Sequence, residues 1–260
     1  MKTKLVYSIL WLTLFSLAMG YLEAVVVVFL RELYYPSGFG FPLVPMDAML
    51  AKVEFCREAA TLVMLVGIGY LSGKTPNQRL AAFLYAFAIW DLGYYLFLKL
   101  VLNWPESLLT WDILFLIPMP WIGPVLAPCL LSLTMVLLAY VLVRKPSKQH
   151  QISLRRPDWW LLTIGSALIL VSFVWDCLSF ALRQQGQVWE VSSHPSLFVE
   201  SAAYVPVDFN WWIFGPGELL LLWAIGQIAF RKSTTPAHSP PPAVAVGAEP
   251  ESFSDYLNAL

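Results

Sequence analysis

The sequence has few charged residues, and that shortage indicates its class. Only 13% of the 260 residues are Asp, Glu, Lys or Arg, whereas 58% are hydrophobic. A soluble domain carries about 25% charged residues. This chain therefore has too little polar surface to cover a water-soluble body of its size, and we expect lipid to be the solvent for most of it.

Three other shortages exclude further classes. Sixteen basic residues stand against seventeen acidic ones, so there is no excess of positive charge for nucleic-acid binding. The three cysteines form no CxxC pair, so they indicate neither a disulfide framework nor a zinc site. The three histidines lie outside the long apolar runs and cannot form a paired intramembrane haem site. We predict no metal and no cofactor.

What the chain does have is six apolar runs long enough to cross a membrane. A helix needs about 20 mainly apolar residues to cross roughly 30 Å of hydrocarbon. The sequence therefore predicts an all-α fold, a polytopic membrane bundle of six transmembrane helices. The number becomes seven if the proline-rich segment before the fourth run is re-entrant or spans. The predicted spans are 5–30, 48–71, 80–102, 125–143, 159–182 and 211–230.

Charge predicts the orientation. Eleven of the sixteen basic residues lie on one side of the predicted spans, so the positive-inside rule places both termini in the cytoplasm. Residues 1–232 form the predicted transmembrane domain, and the proline-rich residues 233–260 a disordered cytoplasmic tail. Short loops and the lack of N-x-[ST] acceptors favour a bacterial cytoplasmic (inner) membrane.

Prolines interrupt the chain at two places. Four of them lie within residues 118–128, where they prevent one straight helix. We expect a short interfacial helix over 111–117 with Asp112 near its amino-terminal cap, the alternative being a re-entrant segment that lines a cavity. Pro216 predicts a kink in the sixth span, unless its neighbouring glycines only allow helices to approach closely.

Five of the six predicted spans contain ionisable residues. Each one facing lipid costs about 2.5–3.5 kcal/mol, so we expect them to face the bundle interior and to share a wet chamber near the extracytoplasmic face. Helical spacing agrees with this, because Arg57 shares a face with two carboxylates and Asp91 shares one with Tyr94 and Tyr95. The carboxylates within the spans are Glu23, Glu54, Glu58, Asp91, Asp176 and Glu218.

These charges favour acid–base chemistry on a lipophilic substrate, such as an isoprenoid or another lipid, in the outer leaflet. With Arg57 as the one deep cation, other carboxylates must be protonated, hydrogen-bonded or bound to an external cation. Asp91 or Glu23 is the predicted acid, Glu218 or Glu58 stays anionic, and the connection 183–210 serves as a lid. The predicted ligand-binding residues are Glu54, Arg57, Trp90, Tyr94, Tyr95, Trp175, Asp176 and Trp211.

Two other functions are compatible with the same residues. In a cation- or proton-coupled carrier of small solutes, the glutamates of the first, second and sixth spans would hold the ion. In a structural or assembly protein, the buried charges would only fix how the helices pack. The expected partners are membrane lipid and a lipophilic or cationic small molecule.

Overall fold

The computed structural model describes residues 2–117, 119–144, 154–185 and 205–231. Within these ranges the chain forms six long helices and one two-stranded sheet between the third and fourth helices. The elements are α1 Lys2–Tyr34, α2 Ala48–Ser72, α3 Pro76–Leu102, β1 Trp111–Phe115, β2 Trp121–Pro124, α4 Leu126–Val143, α5 Arg156–Gln185 and α6 Trp211–Phe230.

The six helices fit a multi-pass membrane protein. Each is long and apolar enough to cross a membrane. Many large apolar side chains on their outer surfaces are exposed, among them Trp11, Leu71 and Trp212, as expected where lipid is the neighbour. Each of the six predicted spans coincides with one of these helices to within a few residues at each end. The predicted tail 233–260 and most of the predicted lid 183–210 lie outside the described residues.

Helix α3 is central to the arrangement. It packs against α1, α2 and α4, while α6 packs against α4 and α5. The local sequence fixes where α3 begins, because the Thr75 hydroxyl and the Gln78 side chain form a capping box and Pro76 occupies the first turn. Gly20 brings α1 close to α3, since a Cβ there would lie 2.7 Å from the carbonyl oxygen of Trp90.

Helix α6 runs unbroken through Pro216. Its glycine at 217 lies directly against α5, because a Cβ at that position would be 2.9 Å from the carbonyl oxygen of Gly165. Close helix approach, the alternative considered for this segment, is therefore what Gly217 provides.

Residues 111–124 form an antiparallel hairpin, so the predicted short interfacial helix is wrong. Strands β1 and β2 pair with Asp112 opposite Gly123. The run of tryptophan, isoleucine, leucine and phenylalanine in β1 favours a strand when a second aromatic run can pair with it. The fold is mainly helical, and the all-α prediction is correct only outside this sheet.

The hairpin inserts deeply between the helices. Just after β1, the backbone N–H of Leu116 donates to both carboxylate oxygens of Glu58, at 3.1 and 2.9 Å. Glu58 is ten residues into α2, or about 15 Å along the helix axis. Non-helical backbone is tolerated at membrane depth only where protein surrounds it or a cavity adjoins it. Residues of this segment line a cavity, as the alternative to an interfacial helix required, but they do so as strands, and whether the segment is re-entrant stays a prediction.

Candidate functional site: an acidic cavity behind the hairpin

A cavity of about 140 Å³ lies between α1, α2, α3 and the hairpin. We call it the outer cavity, because it lies toward the end of the bundle that carries the α1–α2 loop and that is predicted to be extracytoplasmic. The volume is close to the roughly 150 Å³ of an engineered protein cavity that holds one benzene molecule. Its apolar lining includes Val27, Leu30, Phe39, Leu43, Ile113 and Leu114.

Three helices each bring a carboxylate to the outer cavity at a similar depth. Glu23 lies eleven residues before the end of α1, Glu58 ten residues after the start of α2, and Asp91 eleven residues before the end of α3. At helical rise these separations are about 15–17 Å. The shared chamber predicted from the sequence therefore exists for these three side chains.

Arg57 joins two of the helices that surround the cavity. Its Nε and Nη2 atoms donate to the two oxygens of Glu54, at 2.9 and 2.7 Å, and Nη1 donates to Glu23. This bidentate pairing on α2 with a further contact to α1 satisfies the guanidinium in a setting with little water. Glu23 is thus an ion-pair partner in this structure, which leaves it poorly suited to the acid role predicted for it.

A second arginine pair lies at the mouth of the cavity. Nη2 of Arg31 is 3.3 Å from Asp112, which also accepts hydrogen bonds from the hydroxyls of Tyr94 and Tyr95 at 3.3 and 3.2 Å. The predicted capping role of Asp112 is wrong, because the side chain is buried in the hairpin. Burial raises the pKa of Asp112 to about 6, although Arg31 opposes the shift.

Aromatic rings enclose the Arg31 guanidinium. The guanidinium carbon lies 3.7 Å from the ring centroid of Trp104 and 4.4 Å from that of Phe39. These cation–π contacts hold the α1–α2 loop and the segment after α3 over the cavity. Arg31 is buried, although it lies just beyond the predicted first span, which ends at residue 30.

Two carboxylates of the cavity, Asp91 and Glu58, form no ion pair within the described ranges, although the nearby charge of Arg57 acts on Glu58. Asp91 accepts a hydrogen bond from the Ser132 hydroxyl at 2.8 Å, and Glu58 accepts only the Leu116 backbone N–H. The ion pairs of the cavity involve the other three carboxylates. Asp91 and Glu58 are therefore the acidic groups left to act on a ligand or a proton.

The cavity as a whole is acidic. Five carboxylates and two guanidinium groups line it, so its formal charge is −3 when all are ionised. In the described part of the chain, no three His, Cys, Asp or Glu side chains come together in a way that would hold a metal ion. Trp90 also lines the cavity, and its buried indole N–H has no hydrogen-bond partner among the described residues.

Four predicted site residues lie elsewhere. Glu218 accepts a hydrogen bond from Thr134, between α6 and α4, and Asp176 accepts one from Asn210 at 2.6 Å. Trp175 is 49% exposed on α5 and Trp211 is 37% exposed at the start of α6. None of the four lines the outer cavity, because α5 and α6 pack on the far side of α4 and β2.

The other eight predicted residues line the cavity, and a few contributors were missed. Those present are Glu23, Glu54, Arg57, Glu58, Trp90, Asp91, Tyr94 and Tyr95. Arg31, Asp112 and Ser132 were not predicted as site residues. A signal for Asp112 was available, since a lone aspartate inside the apolar run 111–117 costs free energy unless it finds a partner.

Comparison of the chain with family models, with curated proteins and with solved structures finds no match. The class of protein therefore rests on the six apolar helices, and the function on the outer cavity.

Proposed function

We propose that the outer cavity carries out acid–base chemistry on one end of a lipophilic molecule taken from the surrounding membrane. Asp91 is the group that gives and takes the proton, and Glu58 is a fixed anion that stabilises positive charge formed on the substrate. The observation that carries the proposal is that Asp91 and Glu58 line one cavity and that neither forms an ion pair in the described part of the chain.

The environments of the two carboxylates differ in a way that supports separate roles. Asp91 has one flexible donor, the Ser132 hydroxyl, which can reorient when a proton moves. Both oxygens of Glu58 instead face a fixed backbone N–H in the hairpin. Pairs of carboxyl groups in unlike surroundings are the usual arrangement for an acid and its anionic partner.

The walls of the cavity suit a substrate with little polarity. Trp90 packs edge-on against Phe87 and Phe115, with centroid distances of 5.1 and 6.0 Å. Such rings hold apolar groups and stabilise a developing cation through their π-faces. Trp175 and Trp211, which were predicted for this role, do not line the outer cavity and so cannot contact a ligand bound there.

Deuterium incorporation tests the proposal even though the substrate is unidentified. Protein in vesicles made from membrane lipid extract is incubated in deuterium oxide, and the lipids are analysed by mass spectrometry. Proton transfer at a carbon atom leaves deuterium in one lipid species. We expect labelling by the wild-type protein, at least a hundredfold less with Asp91→Asn, and unchanged labelling with the exposed-site control Glu106→Gln.

Equal labelling by wild type and Asp91→Asn, or no labelled lipid at all, would remove the enzymatic proposal. The carrier and the structural protein would then remain, and both stay predictions from the sequence. Membrane lipid as a partner, the bacterial inner membrane and the cytoplasmic termini are likewise predictions that the described fold leaves open.

A further inference from the structure

We infer that the end of the molecule that enters the outer cavity carries a positive charge, so that the ligand is a lipophilic amine. This inference rests on the proposed function and names its substrate class. It is drawn from the charge balance of the cavity, from its size and from one unpartnered donor.

Four side chains on α1 and α2 hold most of the charge of the cavity, and we call them the acid network: Glu23, Glu54, Arg57 and Glu58. Three carboxylates share one guanidinium, so the network has a formal charge of −2 when ionised. Arg57 is already bonded to Glu23 and Glu54. Glu58, one helical turn from Glu54, is therefore the group that an ammonium ion would neutralise.

A metal ion fits the acid network less well than an organic cation does. The described carboxylates do not converge on one point as metal ligands would. An ammonium group needs no such convergence, because it presents separate donors and interacts with the surrounding aromatic rings as well.

The volume of the cavity limits what it can enclose. About 140 Å³ accepts a group of roughly six to eight non-hydrogen atoms, so a longer alkyl chain must extend beyond the cavity. A phosphate beside the amine would bring negative charge against the acid network. An amine without a phosphate is therefore favoured over an aminophospholipid headgroup.

The Trp90 indole N–H is a second feature of the cavity, independent of its charge. Trp90 is only 5% exposed, it lines the cavity, and its Nε1–H has no acceptor within the described residues. A buried donor without a partner costs about 1–3 kcal/mol, so a bound molecule that supplies an acceptor gains affinity. The Nε1 atom is itself buried, so a hydroxyl near the amine supplies the acceptor when the indole ring turns toward the ligand, and an amino alcohol is then a better ligand than a simple amine.

The experiment measures binding to the full chain in detergent micelles by isothermal titration calorimetry. The probes are octylamine, octanol, octanoate and 1-amino-2-octanol. We expect octylamine to bind at least tenfold more tightly than octanol or octanoate, and 1-amino-2-octanol to bind more tightly still. Glu58→Gln should remove the preference for amine, whereas Trp90→Phe should remove only the advantage of the hydroxyl.

Asp91→Asn separates this inference from the proposed function. It should abolish deuterium labelling and still bind octylamine in preference to octanol, because Asp91 lies outside the acid network. Equal binding of octylamine and octanol by the wild-type protein would overturn the inference, and this comparison requires no variant to fold. An amine preference that persists in Glu58→Gln would overturn the assignment to the acid network.

Discussion

Arg57 links α1 to α2 because its guanidinium binds a carboxylate on each helix. Its side chain is 22% exposed, and those of Glu23 and Glu54 are 13% and 10% exposed, so water solvates the three only weakly. Attraction between buried charges offsets their desolvation only while all partners are present. The fold of the outer cavity therefore depends on this arginine.

We predict that Arg57→Gln lowers the free energy of unfolding by about 3 kcal/mol, the low end for breaking a buried ion pair, since Arg57 is partly exposed. Thermal and denaturant unfolding in detergent measure the change. Lys52→Gln, at an exposed position on α2, is the matched control and should change little. The triple variant Glu23→Gln, Glu54→Gln, Arg57→Gln should recover most of the loss. If Arg57→Gln alone were as stable as Lys52→Gln, the proposed role of Arg57 in linking α1 to α2 would be contradicted.

Asp112 should make stability depend on pH. Burial raises the pKa of Asp112 from 3.8 to about 6, so the folded protein holds this proton more tightly than the unfolded chain does. The stabilisation is complete below about pH 4 and is lost as the pH rises to about 6. The melting temperature of the wild-type protein should therefore fall over this interval relative to that of Asp112→Asn.

Melting curves at half-unit steps from pH 4 to pH 7, for both proteins in the same detergent, make the comparison. The difference between the two curves isolates Asp112 from other carboxylates that titrate in this range. A difference that does not change with pH, or that changes in the opposite direction, would show that Arg31 outweighs burial.

At the scale of single residues, helical spacing predicted the partners that lie on one helix. The Arg57–Glu54 ion pair follows from positions three apart, and Asp91 shares a face and the cavity with Tyr94 and Tyr95, although the two tyrosine hydroxyls bond to Asp112. The Arg31–Asp112 pair could not be found in this way, because 81 residues separate the two and the pairing depends on the hairpin. Glu218 and Asp176 are also carboxylates inside apolar spans, as Asp91 is, yet their helices do not line the outer cavity.

The hairpin is the element that makes the cavity. Its two strands supply the cavity wall beside α1, α2 and α3, and its far side packs on Phe173 of α5 and on Phe209, which lies just before α6. A missing side chain at Gly123 permits that contact, since a Cβ there would lie 2.9 Å from Cδ1 of Phe173. Glycine inside a strand commonly marks such a close approach.

Gly123→Ala should destabilise the protein by about 1–3 kcal/mol, because the added methyl group overpacks two buried rings. Gly40→Ala is the control, as no atom lies within 4 Å of a Cβ built there. Melting temperature and octylamine affinity are measured for both variants. We expect both quantities to fall for Gly123→Ala alone. Unchanged melting of Gly123→Ala would mean that the hairpin does not rest on α5 as described.

Prediction succeeded for the helices and failed for the hairpin for a physical reason. A run of about 20 apolar residues has few alternatives to a transmembrane helix, so the span ends were accurate to a few residues. The run 111–117 is short enough to be a helix or a strand, and its sequence alone does not decide between them. Pairing with residues 121–124 decides it, and that is a tertiary contact.

At the scale of the whole molecule, the outer cavity is an acidic chamber at one end of the bundle, and we expect it to be wet and open to one side. Helices α1, α2 and α3 with the hairpin form the chamber, while α5 supports the hairpin from behind. A pocket of this kind suits chemistry on a molecule that enters from one leaflet.

Cysteine accessibility tests that claim most directly. Ile113→Cys, in the hairpin wall of the cavity, is made in a background without the native Cys56, Cys129 and Cys177. A small, membrane-impermeant cationic methanethiosulfonate is applied to vesicles of known orientation, with the exposed Met49→Cys as a positive control. We predict labelling from the side that carries the α1–α2 loop, and slower labelling when octylamine is bound. Labelling only from the side of the termini, or none while Met49→Cys reacts, would contradict the account.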